Sequence, residues 1–250
     1  MKQKRGQVHL LTESSVFFRL DCIMPRKARV TPGGMVFHVL NRGVGRRQLF
    51  ETKADYDAFE NIIAETLDKC PMRICGYCLM PNHWHFVMWP KGDEDLGLFM
   101  QRLSVTHVTR WQKHRNVVGE GHLYQARFKS FPVETEDYFY QVMLYVERNA
   151  LRANLCQRAE DWRWGSLHAR ILGTPEQNAL LSDWPLSRPR QWKDHVNRPQ
   201  LDKELNAIRQ SLVRGQPLGS PAWIQSRARD LCLESTLRPR GRPRKLAAED

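Results

Sequence analysis

The stretch "MPNHWHFVMW" (residues 80–89) decides how this chain folds. Pro81-Asn82 is a turn-forming pair, and the apolar runs on either side of it, residues 72–80 and 83–89, are each of strand length. An antiparallel hairpin follows. In its second arm, side chains two apart project from one face, so His83 and His85 point together while Trp84 turns to the opposite side. Two imidazoles on one sheet face can chelate a divalent cation, or they can sit as a hydrogen-bonded pair on a partly exposed face. The motif alone leaves both readings open.

Outward from the hairpin, "GMVFHVLNRG" (34–43) reads as a strand entering a turn. The segment "KADYDAFENIIAETLDKC" (53–70) sets Tyr56, Phe59, Ile62, Ile63 and Leu67 at helical spacing. Residues 96–114 predict a second helix, 121–133 an extended or looped stretch, and "TEDYFYQVMLYVERNALRANL" (135–155) a helix with a strong apolar stripe. The order βαββα predicts an α+β sandwich of the ferredoxin-like kind: a central antiparallel sheet carrying the His-x-His strand, with helices on one face. After about residue 170 the polar, proline-rich "LSDWPLSRPRQW" suggests a linker over 171–199. A small helical region over 200–235 and a basic tail over 236–250 complete the chain, with Gly215 closing one helix and Ser220-Pro221 opening the next.

The formal net charge is +12 and the sequence pI about 9.7, so the natural partner is a polyanion, nucleic acid first. No apolar run reaches the roughly 18 residues that a membrane-spanning helix needs, and no signal-peptide core is evident. The six cysteines are scattered and fit a reducing cytoplasm. Cys75 and Cys78 have CxxC spacing, but positions three apart on a strand face opposite ways, so packed thiols are expected there rather than a zinc knuckle.

A second constellation lies on the predicted helix 135–155. Tyr145 and Asn149 are four apart and share a helix face. A phenol then stands beside an amide oxygen able to ligate a metal; the alternative is an aromatic at the core edge and an asparagine at a fraying helix end.

Four ordered blocks carry a resemblance: "MPRKARVTPGGMVFHVLNRGVGRRQLFE" from Met24, "LMPNHWHFVMWP", "HLYQARFKSFPVETEDYFYQVMLYVERNALRANL" and "DWRWGSLHAR". Together they resemble the REP-associated tyrosine transposases, single-tyrosine HUH transposases of bacteria. The resemblance covers residues 24–170 as a catalytic domain and implies Met24 as the usual start, with residues 1–23 an extension. It implies a metal-dependent endonuclease and strand transferase acting on single-stranded DNA beside hairpin-forming palindromes, through a 5′-phosphotyrosine intermediate. His83 and His85 match the family's metal-binding pair, Tyr145 its nucleophile and Asn149 the position of a further ligand, with Mg2+ or Mn2+ as the ion. Ala150 stands where a proline commonly follows the asparagine.

Relatives occur as monomers and as homodimers, and a cytoplasmic, nucleoid-associated protein is implied. Candidate DNA contacts are Lys27, in the basic "PRKAR" (25–29), with Arg42, Arg46, Arg47, Gln125, Arg127, Lys129 and Arg152. Arg240 and Arg242, in an AT-hook-like "RGRP", join them. Trp162 and Trp164 are expected to be packing residues. A catalytically silent hairpin-binding regulator and an HUH replication or conjugation nickase are the competing readings.

Overall fold

The computed structural model describes residues 29–238. Met24, residues 1–23, Lys27, Arg240 and Arg242 lie outside the described residues. The core runs β1 (Val36–Arg42), α1 (Lys53–Lys69), β2 (Arg73–Met80), β3 (His83–Trp89), α2 (Asp95–His114) and β4 (Lys129–Val133). Its sheet is antiparallel in the order β2-β3-β1-β4. This is the predicted ferredoxin-like α+β arrangement, with the His-x-His strand at an inner position.

Alternation along the strands divides the core in two. Phe37, Val39, Tyr77, Leu79, Trp84, Phe86 and Met88 face α1 and α2 and pack with Phe59, Ile62, Ile63, Phe99 and Leu103. Trp84 is fully buried, as its parity required, and its Nε1–H donates to the Tyr124 hydroxyl at 2.9 Å. Helix α1 starts at a capping box in which Thr52 and Asp55 satisfy each other's backbone N–H groups. Its apolar face is the one that the spacing predicted.

The other sheet face is also covered, by α3 (Asp137–Glu147) and α4 (Asn149–Arg152). Helices on one face therefore describe α1 and α2 only. The single helix expected over 135–155 is divided at Arg148 (ψ −3°). Phe139, Val142, Met143 and Val146 of α3 pack on Cys75, Cys78, Val87 and Phe131. The approach is close because Gly76 has no side chain: a Cβ there would overlap the Met143 methyl.

Cys75 and Cys78 both lie on this second face, contrary to the parity argument. The β2–β3 register jumps between Ile74 and Gly76, so Cys75 is the extra residue of a bulge and shifts the alternation by one. Both thiols are buried, and burial pushes each up to about 12.

The segment expected as a linker is packed. It includes the end of α5 (Ser166–Ile171), then α6 (Pro175–Ala179) and α7 (Trp192–Asn197). Leu180, Trp192 and Val196 from it are buried. Two buried carboxylates tie these elements to the core. Glu60 accepts from the Tyr77 hydroxyl at 2.8 Å and from Gln177 at 3.0 Å. Glu147 accepts from the Ser166 hydroxyl and the Trp192 indole N–H, each at 2.6 Å. Tryptophans that read as loop residues in a proline-rich context thus supply the burial. Trp162 and Trp164 pack as expected, Trp164 stacking on Tyr56 at 4.0 Å.

Helices α8 (Asp202–Arg214) and α9 (Pro221–Asp230) follow. Gly215 ends α8 in the left-handed region (φ 73°), its N–H donating to Ser211 O. Ser220 precedes α9 with Pro221 at the first helical position, but its hydroxyl donates to Glu134 rather than capping the helix. Among the described residues no helix is long and apolar enough to cross a membrane.

Candidate active site

β3 and α3 bring the two sequence constellations together. His83 and His85 leave the sheet on the face covered by α3, and Tyr145 of α3 packs over His85. The Tyr145 ring centroid lies 5.8 Å from that of His85. The two histidine rings are 5.1 Å apart and nearly perpendicular. Asn149, the first residue of α4, is buried, and its Oδ1 accepts from Arg152 Nη2 at 2.8 Å. The Arg152 guanidinium in turn lies over the Tyr145 ring at 4.1 Å.

Each histidine has its Nδ1 engaged. His83 Nδ1 lies 2.6 Å from Asn82 Oδ1, and His85 Nδ1 lies 2.9 Å from His38 Nε2. The Asn82 amide is oriented from its other end, where Nδ2 donates to Arg46 O at 3.4 Å. Among the described residues, neither histidine's Nε2 takes part in a hydrogen bond.

All three imidazoles are held in the neutral form. Burial, then Arg42 and Arg152, lowers His83 to about 4. Burial, then Arg152, lowers His38 to about 3. His85 is pushed well below its ordinary value by burial first, then by the neighbouring histidines and arginines.

This donor set fits a divalent cation. A metal takes neutral imidazole nitrogens, and both histidines offer one whose opposite ring nitrogen is already anchored, the usual outer support of a ligating histidine. An amide carbonyl keeps a second lone pair after accepting one hydrogen bond, so Asn149 Oδ1 can contribute. Its Nδ2 is buried without a hydrogen-bond partner. Among the described residues no group of three His, Cys, Asp or Glu side chains is arranged for a metal; the set here is two imidazoles and an amide.

The predicted DNA contacts divide. Arg42 and Arg152 both act on the histidines, and Arg209 of α8 adds charge beside Arg152. Arg152 is partly buried, has an unpartnered Nη1 and, among the described residues, pairs with no carboxylate. Arg46, exposed, supports Asn82 through its carbonyl. Arg47 reaches the Trp111 ring at 5.9 Å, on the α2 side. Arg127 lies near Arg29, which stacks on Phe128. Gln125 is exposed beside the β1 end, its N–H donating to Arg42 O, and Lys129 reaches Leu212 O.

Two site residues escape sequence reasoning. His38 is a lone strand histidine with no motif around it, and Asn82 reads only as a turn former. The signal for His38 was its parity: it shares the Val36 face of β1, which faces the same helix as His85.

The family model described as "Transposase IS200 like" matches residues 33–149. A Haemophilus influenzae chain, provisionally assigned as a REP-associated tyrosine transposase, is 22% identical over 151 residues, covering 56% of this chain and 84% of that one. A solved structure of a REP-associated tyrosine transposase bound to a REP hairpin is similar with a TM-score of 0.47 and 18% identity, covering 61% of this chain and 88% of that one. The matched segment runs from just before β1 through Asn149, so the likeness to the IS200-like transposases, and to the REP-associated tyrosine transposases among them, takes in both strand histidines and the helix tyrosine.

Proposed function

We propose that this protein cleaves and rejoins single-stranded DNA beside hairpin-forming palindromes, with Tyr145 as nucleophile and a 5′-phosphotyrosine intermediate. The observation that carries this reading is the seating of Tyr145 over His85 and beneath the Arg152 guanidinium. An aromatic at a core edge has no need of an unpaired cation on its face. Hairpin DNA as substrate is taken from the resemblance to the REP-associated tyrosine transposases. The excess positive charge suits such a partner.

His83, His85 and Asn149 would hold a Mg2+ or Mn2+ ion, which would supply Lewis-acid charge to the phosphate. The chain's own residues do the rest. Arg42, Arg152 and Arg209 draw the phosphate to the histidine face by charge. Tyr145 Oη gives up its proton to solvent and attacks phosphorus; the bond to the 3′-oxygen breaks, and that oxygen leaves as a hydroxyl after taking one proton from solvent, so no net proton is consumed. Arg152 offsets the negative charge on the attacking phenolic oxygen and on the phosphate. The bond energy stays in the phosphotyrosine, so the 3′-hydroxyl of another strand reverses the step and joins without ATP. Such chemistry belongs in the cytoplasm, at the nucleoid.

The test incubates the purified protein with single-stranded DNA carrying hairpins from beside its own gene, with Mn2+ or with EDTA, and resolves products on a denaturing gel. A covalent protein–DNA band that needs Mn2+ and vanishes in Tyr145→Phe is expected. Tight, salt-sensitive hairpin binding with no band overturns the catalytic reading in favour of a binding regulator. A band that survives Tyr145→Phe overturns the choice of nucleophile.

A further inference from the structure

The two candidate ligands are supported differently. Asn82 Oδ1 can only accept, so His83 carries its proton on Nδ1 and presents a bare Nε2. His85 has another imidazole as partner, and an imidazole can either donate or accept.

We propose that His38 is the positioning residue of His85: the two rings share one proton between His38 Nε2 and His85 Nδ1, and ion binding at His85 Nε2 draws that proton onto His85. This rests on the metal reading above. His38 is fully buried on β1, held edge-on against Phe131 at 5.0 Å and against Tyr145 at 5.9 Å, so its ring is confined. Among the described residues its Nδ1 is buried with no hydrogen-bond partner.

That orphan atom sets the direction of the coupling. When His38 accepts from His85, its own proton must sit on Nδ1, where an N–H finds nothing to bond. When His38 donates from Nε2, Nδ1 carries only a lone pair, and an unmatched acceptor is tolerated better than an unmatched donor. The pair therefore rests with the proton on His38 Nε2, and the ion shifts both rings together. No net proton is taken up or released within the pair: one moves from His38 Nε2 to His85 Nδ1, and the His85 Nε2 proton that the ion displaces is matched by the one gained at His38 Nδ1.

The full chain, labelled with 15N at histidine, is titrated with Mg2+ while the ring nitrogens are followed by NMR. His38 is expected to pass from the Nε2–H to the Nδ1–H form, and His85 from Nε2–H to Nδ1–H. Unchanged ring nitrogens at saturating Mg2+ overturn the proposal. In parallel, Mn2+ affinity is read from the EPR signal of free Mn2+. His38→Phe is expected to weaken it by about 10- to 100-fold, the usual cost of losing the outer partner of a ligating histidine. His38→Gln, which restores an acceptor near the Nε2 position, should recover most of the loss.

Wild-type affinity in His38→Phe overturns the positioning role alone. Equal loss in both variants, with folding intact by circular dichroism, makes His38 a ligand in its own right and overturns it too. Mn2+ binding absent from the wild type, as from His83→Ala, fails the metal reading and this inference with it. The wild-type NMR titration needs no variant to fold.

Discussion

Arg152 bridges Tyr145 and Asn149: its guanidinium lies 4.1 Å from the centre of the tyrosine ring while its Nη2 donates to the asparagine carbonyl at 2.8 Å. Burial lowers its pKa, yet a guanidinium stays charged at neutral pH. A partly buried cation that, among the described residues, has no carboxylate partner is costly unless an anion arrives to meet it. In the proposed mechanism that anion is the DNA phosphate.

Arg152→Met removes this charge while filling similar space. Single-turnover cleavage should slow by roughly 100-fold or more, the scale found for deleting one preorganised donor to a developing negative charge. Hairpin binding should weaken far less, with the salt dependence of binding reduced by about one phosphate contact. Arg152→Lys, which keeps the charge but loses the planar fork, should fall between. Cleavage at the wild-type rate in Arg152→Met removes Arg152 from the mechanism.

Tyr145→Phe keeps the ring that packs on His85 and loses only the hydroxyl. The covalent adduct should disappear, while the melting temperature and hairpin affinity stay close to wild type. A large drop in melting temperature would show that the hydroxyl is structural.

Glu147 gives a pH signature. Burial raises its carboxyl above the ordinary value, outweighing the hydrogen bonds from Ser166 and Trp192. A raised folded pKa contributes stability that is complete below the unfolded carboxyl value, about 4.3, and is lost as pH rises through the folded one. Glu147→Gln cannot ionise, so its melting temperature relative to wild type should improve as pH climbs from 4 to 8. A difference that does not vary with pH rules this out. Glu147→Ala, which strands the Trp192 N–H and leaves a cavity, should cost about 2–4 kcal/mol by urea unfolding.

Gly76 lets α3 settle on the sheet. Gly76→Val forces atoms into the space of the Met143 methyl and Ser166 hydroxyl, and should destabilise by about 1–3 kcal/mol. Since the displaced helix carries Tyr145, cleavage should fall with it. Gly76→Ala should be milder, because the first atom it meets is the end of a flexible side chain. Equal effects of alanine and valine would mean the helix is not what moves.

Much of this was legible in the sequence. Strand-length apolar runs around Pro81-Asn82, helical spacing in α1 and the parity of His83, Trp84 and His85 are local patterns, and local patterns survive folding. The four-residue step from Tyr145 to Asn149 likewise put both at the site, although the helix divides at Arg148. What was illegible is non-local. The bulge at Cys75 breaks the two-residue period, and one extra residue in an apolar run leaves no mark in composition. Residues 171–199 look like a linker because proline and polar residues dominate them; only the partners Glu60 and Glu147, far away in sequence, reveal why Gln177 and Trp192 are buried. His38 became meaningful once β1 was laid beside β3.

Both outer strands of the sheet are closed off by the chain itself. Along β2, Leu79 N–H donates to Trp164 O, Cys78 bridges to Gly165, and Ser182 N–H donates to Ile74 O. Along β4, Leu218 N–H donates to Pro132 O and Leu218 O accepts from Glu134 N–H. Unpaired strand edges invite neighbouring chains to add on, and here several of the backbone groups that would recruit them are already engaged. A neighbouring copy of the chain that tried to add a strand at either edge would first have to displace these contacts.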